Sequence, residues 1–321
     1  MVSIPTERRR SAQNLATTAA RLSSTQSLTN EGAPKMSAEI QARLAPFRDA
    51  WFVVKVGGEL VVPGKLDAVA AALAAMQGAG VKLVVIHGGG PQATDLTKRL
   101  GLTPQQIAGR RVTDADVLRV MKQALAGEVS VDIASIFRAR GVNAVALHGV
   151  SAGLISAVKR PPRVITGGPA EPVDLGLVGD VVGVNTDLLE TLVDAEYLPV
   201  VASIGGDAQG GVFNINADVV AARVAVALGA KKLLLVAGVS GVLRDIKDPS
   251  SRIARLTPTS AKQAIDEGII SGGMIAKVEE ALSGVAAGIP AVHVCGAEPG
   301  ALLDEALNPG SRGTLLEPDP A

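Results

Sequence analysis

From Trp51 onward, short apolar runs alternate with stretches in which apolar residues recur every three or four positions. Trp51–Val56, Val81–Ile86, Asn143–Leu147, Leu198–Ile204 and Leu233–Val236 are dominated by Val, Leu and Ile, the pattern of strands buried on both faces. Leu66, Val69, Leu73 and Met76 mark one face of a helix. Another helix is predicted from about Pro91, where proline suits a first turn. Thr113–Leu125 and Val129–Arg140 predict two more, and Ala217–Leu228, Ser260–Glu267 and Met274–Ala287 follow. Arg160–Pro172 is rich in Pro and Gly and predicts a hairpin or loop. Repeated strand–helix units of this kind imply an α/β fold, a three-layer αβα sandwich around a mainly parallel sheet. No internal repeat is visible.

Residues 1–35 lack this periodicity and carry a basic triplet, Arg8, Arg9 and Arg10. They contain no apolar segment suited to a secretory signal. A disordered tail is the plainer expectation, and the acid-poor, Arg- and Ser-containing start also fits an organelle transit peptide. Ile40, Leu44 and Phe47 then recur at helical spacing, predicting a short amphipathic helix within residues 37–49. Such a helix either caps the core or meets another subunit.

Composition narrows the function classes. Lys plus Arg and Asp plus Glu each number 31, so there is no basic excess for a nucleic acid. Hydrophobic residues make up 47% and aromatics 2%, leaving the core to aliphatic side chains. The single Cys295 excludes an internal disulfide and a cysteine metal cluster, and three histidines leave little for a histidine site. No apolar run reaches the about 18 residues of a membrane span. The 36 glycines are the informative feature, through their positions.

Two glycine groups follow strands directly. They are Lys55-Val56-Gly57-Gly58 and His87-Gly88-Gly89-Gly90-Pro91, the second running into a helix. Ligands of open α/β sheets bind beyond the strand carboxyl ends. Glycine there lets backbone N–H groups approach an anion, and a helix N-terminus favours one. A tight turn is the alternative for either loop alone; two such loops, one beside a lysine, favour phosphate or carboxylate binding. Neither is a P-loop or a dinucleotide fingerprint. Gly109-Arg110-Arg111-Val112-Thr113-Asp114 sets an arginine fork before a helix, where a solvated surface pair is the plain reading. Asn214-Ile215-Asn216-Ala217-Asp218 is more polar than capping requires, although Asn216 alone suits an N-cap. Lys277, by itself, is an ordinary surface lysine.

Gly149-Val150-Ser151-Ala152-Gly153 matches the nucleophile elbow, with Asp245 and His293 in hydrolase order. A serine esterase is therefore a competing reading. It leaves Lys55, Arg111, Asn214, Asn216, Asp218 and Lys277 without a purpose.

Taken together, KVGGEL, HGGGPQ, GRRVTDAD, LGLVGDV, LPVVASIG, NINAD and SGGMIAKV resemble the amino-acid kinase family, over about residues 52–316. Among its members the segments look most like those acting on N-acetyl-L-glutamate. The resemblance implies a kinase domain over residues 50–317, with an amino-acid lobe at 50–215 and an ATP lobe at 216–317. It implies transfer of the ATP γ-phosphoryl to the side-chain carboxylate of N-acetyl-L-glutamate, in cytoplasmic arginine biosynthesis. Lys55 and Lys277 match the catalytic lysines, and Asp218 the carboxylate that orients them. Gly89, Gly90, Arg111 and Asn214 match substrate contacts, with Asn216 beside them. Gly57, Gly58, Gly88, Gly238, Ser240, Gly241, Ser271 and Gly273 fall where phosphates or ATP would bind. Gly238 departs from the family pattern, which often has Asp or Asn there. Mg²⁺ is expected to arrive with ATP, without a protein metal site. A homodimer is expected, with a hexamer as the alternative, and L-arginine is a candidate feedback inhibitor acting through the N-terminal helix. A kinase of another acylated amino diacid and a non-catalytic arginine-sensing homologue are the remaining alternatives.

Overall fold

The computed structural model describes residues 37–320, apart from Pro63, Thr166, Ile246 and Gly272. The tail expected at residues 1–35 lies outside them. The first helix, α1 (Ala38–Leu44), is capped by the Ser37 side chain, which accepts from the Ile40 N–H. Leu44 is fully buried, and the Phe47 ring meets Phe52 edge-on at 5.2 Å. This segment therefore caps the core.

The main sheet begins with β1 (Trp51–Val56), α2 (Leu66–Gly78), β2 (Lys82–His87) and α3 (Gly90–Arg99). A small ribbon follows, β3 (Gln106–Ile107) and β4 (Arg110–Arg111). Next come α4 (Ala115–Met121), a π-helical stretch Lys122–Val129, α5 (Ser130–Ala139) and β5 (Ala144–His148). A second sheet is introduced by β6 (Ile155–Lys159) and β7 (Gly179–Val184). After α6 (Thr186–Asp194) the chain returns through β8 (Leu198–Ala202) to a hairpin, β9 (Ile204–Gly206) and β10 (Val212–Asn214). The remainder is α7 (Ala217–Ala227), β11 (Lys232–Val236), β12 (Arg255–Leu256), α8 (Pro258–Asp266), α9 (Gly273–Ala286), β13 (Val292–Cys295), α10 (Ala301–Leu307) and β14 (Gly313–Leu316). Eight strands form the main sheet in the order β12-β14-β13-β11-β1-β2-β8-β5, parallel except where β13 meets β14. The expected α/β architecture is thus present. No helix of the described residues is long and apolar enough to cross a membrane.

Strand periodicity decides which face each residue of β1 serves. Phe52, Val54 and Val56 enter the core shared with α2, α5 and α10. Trp51 and Val53 pack in the opposite core, with α7 and α9. Lys55 shares the parity of Val53 and so turns to the α7 side.

Three expectations need correction. Thr113–Leu125 and Val129–Arg140 are one continuous helical run, because the wide π turn absorbs the junction and no proline or cap interrupts it. That run starts later than expected, at Ala115, because the Asp114 carboxylate accepts from the Val117 N–H. Leu198–Ile204 is two strands in different sheets, parting at Ser203. The Arg160–Pro172 excursion is pinned at its base by paired Arg163 and Val173. The hydrolase triad is not assembled: Ser151 Oγ lies 3.3 Å from His148 Nδ1, Asp245 engages the Lys247 N–H, and His293 is paired with Glu305.

Candidate active site

Lys55 is the penultimate residue of β1, at the centre of the sheet. Asp218 lies in the first turn of α7. Their side chains meet at 2.9 Å and are 13% and 17% exposed. A buried ammonium requires such a partner. Burial alone would lower the Lys55 ammonium; attraction to Asp218 and their hydrogen bond, with Glu59 and Glu280, outweigh it, and the shift is upward. Lys55 is therefore charged across the physiological range. Lys277, on α9, lines the same cleft with Asp218. The two lysines predicted 222 positions apart thus share one cavity with the carboxylate between them in sequence.

The two glycine loops also meet. A Cβ placed on Gly58 would lie 2.8 Å from the Gly89 Cα, so only glycine allows this approach. Gln92 holds the pair by donating from Nε2 to the Gly58 carbonyl at 2.7 Å. The Gly57 N–H is engaged by the Val236 carbonyl and the Gly88 N–H by Val56. No protein acceptor is found for the Gly58 and Gly89 N–H groups among the described residues. They are the donors left for an anion.

His87 fixes the second loop from beneath. It is fully buried, with Nδ1 2.8 Å from the Gly88 carbonyl and Nε2 3.0 Å from Ser130 Oγ. Burial pushes the ring down to about 4, so it is neutral at pH 7. A carbonyl only accepts, which assigns the ring proton to Nδ1 and turns Nε2 as an acceptor to the Ser130 hydroxyl, whose one proton is shared with the Leu125 carbonyl at 2.8 Å. Ser130 closes the π turn, and its N–H serves the Leu125 carbonyl. The irregular turn therefore has a use: it brings a hydroxyl under the glycine loop.

Arg111 reaches the same loop from β4. Its Nη2 donates to the Gly90 carbonyl at 3.1 Å and to Thr94 Oγ1 at 2.6 Å. Its Nη1 is buried with no partner among the described residues. Burial lowers the guanidinium from its ordinary value, yet arginine keeps its charge in proteins. An unspent N–H on a held guanidinium is a ready carboxylate contact. Asn214, at the end of β10, donates from Nδ2 to Thr113 Oγ1 at 3.1 Å, two residues from Arg111. Asn216 caps α7 by accepting from the Asp218 N–H at 2.8 Å, and its Nδ2 donates to Glu280 at 2.6 Å.

The remaining predicted residues are placed as follows. The Gly238 N–H donates to the Glu59 carboxylate at 3.2 Å, tying the first loop to the end of β11. Gly241 has φ 146° and sits against Thr314 and Arg252, while Ser240 beside it is half-buried. Ser271 is exposed ahead of α9, and Gly273 begins that helix. Among the described residues no hydrogen bond joins Ser240, Gly241 or Ser271 to the Lys55 cleft. Among the described residues no group of three His, Cys, Asp or Glu side chains is arranged to hold a metal ion.

A sequence model of the amino acid kinase family matches residues 50–296. The chain belongs to the amino acid kinase family. An acetylglutamate kinase of Sorangium cellulosum (strain So ce56) is 50% identical over 267 residues, 83% of this chain and 94% of that protein. Among solved structures, the N-acetylglutamate synthase of Neisseria gonorrhoeae complexed with coenzyme A and N-acetyl-glutamate has a TM-score of 0.73 at 26% identity. That match covers 88% of this chain but only 63% of the synthase. Carbamate kinase from Giardia lamblia bound to AMP-PNP, at 18% identity and TM-score 0.58, shares the fold over 84% of this chain and 99% of its own. Membership of this kinase family favours a kinase over the esterase reading.

Sequence reasoning passed over His87, Ser130, Gln92, Glu59 and Glu280. His87 carried a signal, since a histidine abutting three glycines is an unusual neighbour for a flexible turn. The others are ordinary polar residues on helices or turns, and only distant contacts give them a purpose.

Proposed function

We propose that the chain transfers the γ-phosphoryl group of ATP to the side-chain carboxylate of N-acetyl-L-glutamate, as a step of arginine biosynthesis. The observation that carries this reading is a half-buried aspartate paired with one lysine and sharing its cleft with a second, beside two touching glycine loops. A carboxylate nucleophile is ionised at pH 7, so the site needs no general base. Phosphoryl transfer is a matter of positioning and charge stabilisation. Lys55 and Lys277 neutralise the transferring group, and Asp218 orients Lys55. The Gly58 and Gly89 N–H groups hold its oxygens. Arg111, through Nη1, takes the substrate α-carboxylate, with Gly90 and Asn214 beside it. Mg²⁺ belongs to the MgATP substrate and supplies charge on the phosphates. The nucleotide lies on the side of residues 216–317, and the amino acid on that of residues 50–215. A cytoplasmic location goes with this role.

Trapping the acyl phosphate with hydroxylamine tests the reaction directly. Hydroxamate should form only with both ATP and N-acetyl-L-glutamate; none formed would refute the reading. In the same assay, Arg111→Ala should raise KM for N-acetyl-L-glutamate roughly 10- to 100-fold, the worth of a lost charged hydrogen bond or two. Its kcat should change far less, and an unchanged KM would remove Arg111 from the substrate site.

The same reading makes the protein a homodimer that assembles into hexamers through its N-terminal helix, with L-arginine as feedback inhibitor. Deleting residues 1–43 stops short of the buried Leu44 and so spares the core. The truncated chain should be dimeric by light scattering and insensitive to L-arginine. Hexamers, or inhibition retained, would refute this assembly.

A further inference from the structure

Glu280 lies one helical turn beyond Lys277 on α9, and no part of the mechanism above uses it. It is nevertheless wired to the other lysine. Asn216 Nδ2 donates to Glu280 Oε1 at 2.6 Å, Asn216 Oδ1 accepts from the Asp218 N–H at 2.8 Å, and Asp218 Oδ1 accepts from Lys55 at 2.9 Å. Asp218 and the Glu280 carboxyl are thereby bridged by one side chain, Asn216. The chain Glu280–Asn216–Asp218–Lys55 thus joins the helix that carries one lysine to the strand that carries the other.

Two carboxyl groups on residues bridged by one asparagine do not both ionise easily. Lys55, in contact with Asp218, decides which one takes the charge first, and Glu280 is the one that stays protonated to higher pH. The charged groups facing Glu280 are Asp218 on α7, Lys55 on β1 and Arg110 on β4. The other elements packed on α9, namely α8, β13 and β14, meet it through apolar side chains such as Ala261, Ala264, Val292, Val294 and Leu316. Burial, then the charge of Asp218 and their hydrogen bond, push Glu280 up to about 7 against the pull of Lys55 and Arg110.

We propose that Glu280 is a positioning residue of the transfer site. In its protonated form it donates to Asp218 and accepts from Asn216, locking the Asp218 carboxylate on Lys55. On ionising it releases its proton to solvent, repels Asp218, and adds a negative charge beside the anionic phosphoryl group. Phosphoryl transfer is therefore faster with Glu280 protonated. This deepens the kinase reading and rests on it.

The test is kcat between pH 5.5 and 8.5, by hydroxamate trapping at saturating ATP and N-acetyl-L-glutamate, for the unaltered chain, Glu280→Gln and Glu280→Ala. In the unaltered chain kcat should fall about tenfold from pH 6 to pH 8, as a single carboxyl titrating mid-range requires. In Glu280→Gln the ratio of the two values should approach one. The amide keeps a donor for Asp218 and an acceptor for Asn216, so Glu280→Gln should turn over faster than Glu280→Ala at pH 6, with similar KM for N-acetyl-L-glutamate. A Glu280→Gln profile that still falls like that of the unaltered chain, or equal kcat in the two variants, overturns the proposal. Absence of hydroxamate from the unaltered chain at every pH would refute the kinase reading and the proposal with it. A kinase-active chain with an unaltered Glu280→Gln profile refutes the proposal alone.

Discussion

Replacing Lys55 or Lys277 by alanine should lower kcat on the order of 10²- to 10³-fold, the usual cost of removing one group that stabilises transition-state charge. Each lysine lines the cleft that holds Asp218, and neither is needed to complete the apolar core. Thermal denaturation should therefore show both variants folded. The two will differ in one respect. Lys55→Ala strips Asp218 of its partner at 2.9 Å and leaves two neighbouring carboxyls without that cation. Since Lys55 favours ionisation of Glu280, its loss should move the fall in kcat to higher pH than in the unaltered chain. Lys277→Ala leaves the Lys55–Asp218 pair intact and should keep the pH profile of the unaltered chain. Turnover within a few-fold of the unaltered chain in both variants would exclude the lysine mechanism. Combining the substitutions should cost less than the sum of the separate losses, because the two act on one phosphoryl group.

Gly58→Ala should reduce kcat/KM about 100-fold while leaving the sheet intact. The added methyl would stand 2.8 Å from the Gly89 Cα and 2.8 Å from Gln92 Oε1. Gln92 can swing aside; the Gly89 backbone cannot move without carrying the whole second loop with it. The loops must part by several tenths of an ångström, and displacements approaching an ångström cost about two orders of magnitude in rate. Steady-state kinetics with each substrate varied in turn will check this. Gly64→Ala is the control for glycine loss as such, because a Cβ at that position meets nothing within 4 Å. Its φ of 84° will cost stability, not rate. Wild-type kcat/KM in Gly58→Ala would show that contact between the loops is dispensable.

The central strands of the main sheet, β1, β2, β8 and β11, were legible because they are buried on both faces and so appear as unbroken aliphatic runs. The second sheet was not. In β6 and β7 buried, half-buried and exposed residues mix over five or six positions, and glycines at 179 and 183 interrupt β7. Its strands are recognisable only by their pairing. The last strands, β13 and β14, are uniformly buried but just four residues long, too short for a periodicity to declare itself. Lys55, Asp218 and Arg111 were legible through family motifs, and the geometry then gave them contacts that no spacing could supply. Glu280 marks the opposite limit. A second glutamate in Lys-Val-Glu-Glu on an amphipathic helix is indistinguishable from a solvated charge. Its meaning lies in Asn216, 64 residues earlier in the chain.

β1 and β2 lie side by side with Val56 opposite His87, so the two glycine loops leave the sheet from adjacent rungs. Neighbouring strands are about 4.8 Å apart, a spacing fixed by backbone hydrogen bonds. Reacting atoms in a near-attack arrangement are about 3 to 3.5 Å apart. The sheet thus serves as a ruler: a donor seated on one loop and an acceptor on the other begin little more than a bond's adjustment from reaction. Side chains above the loops can change which molecules are admitted without altering that interval. On the proposed reading, specificity and reach are in this way written into different parts of the chain, one in residues such as Arg111 and the other in the peptide backbone itself.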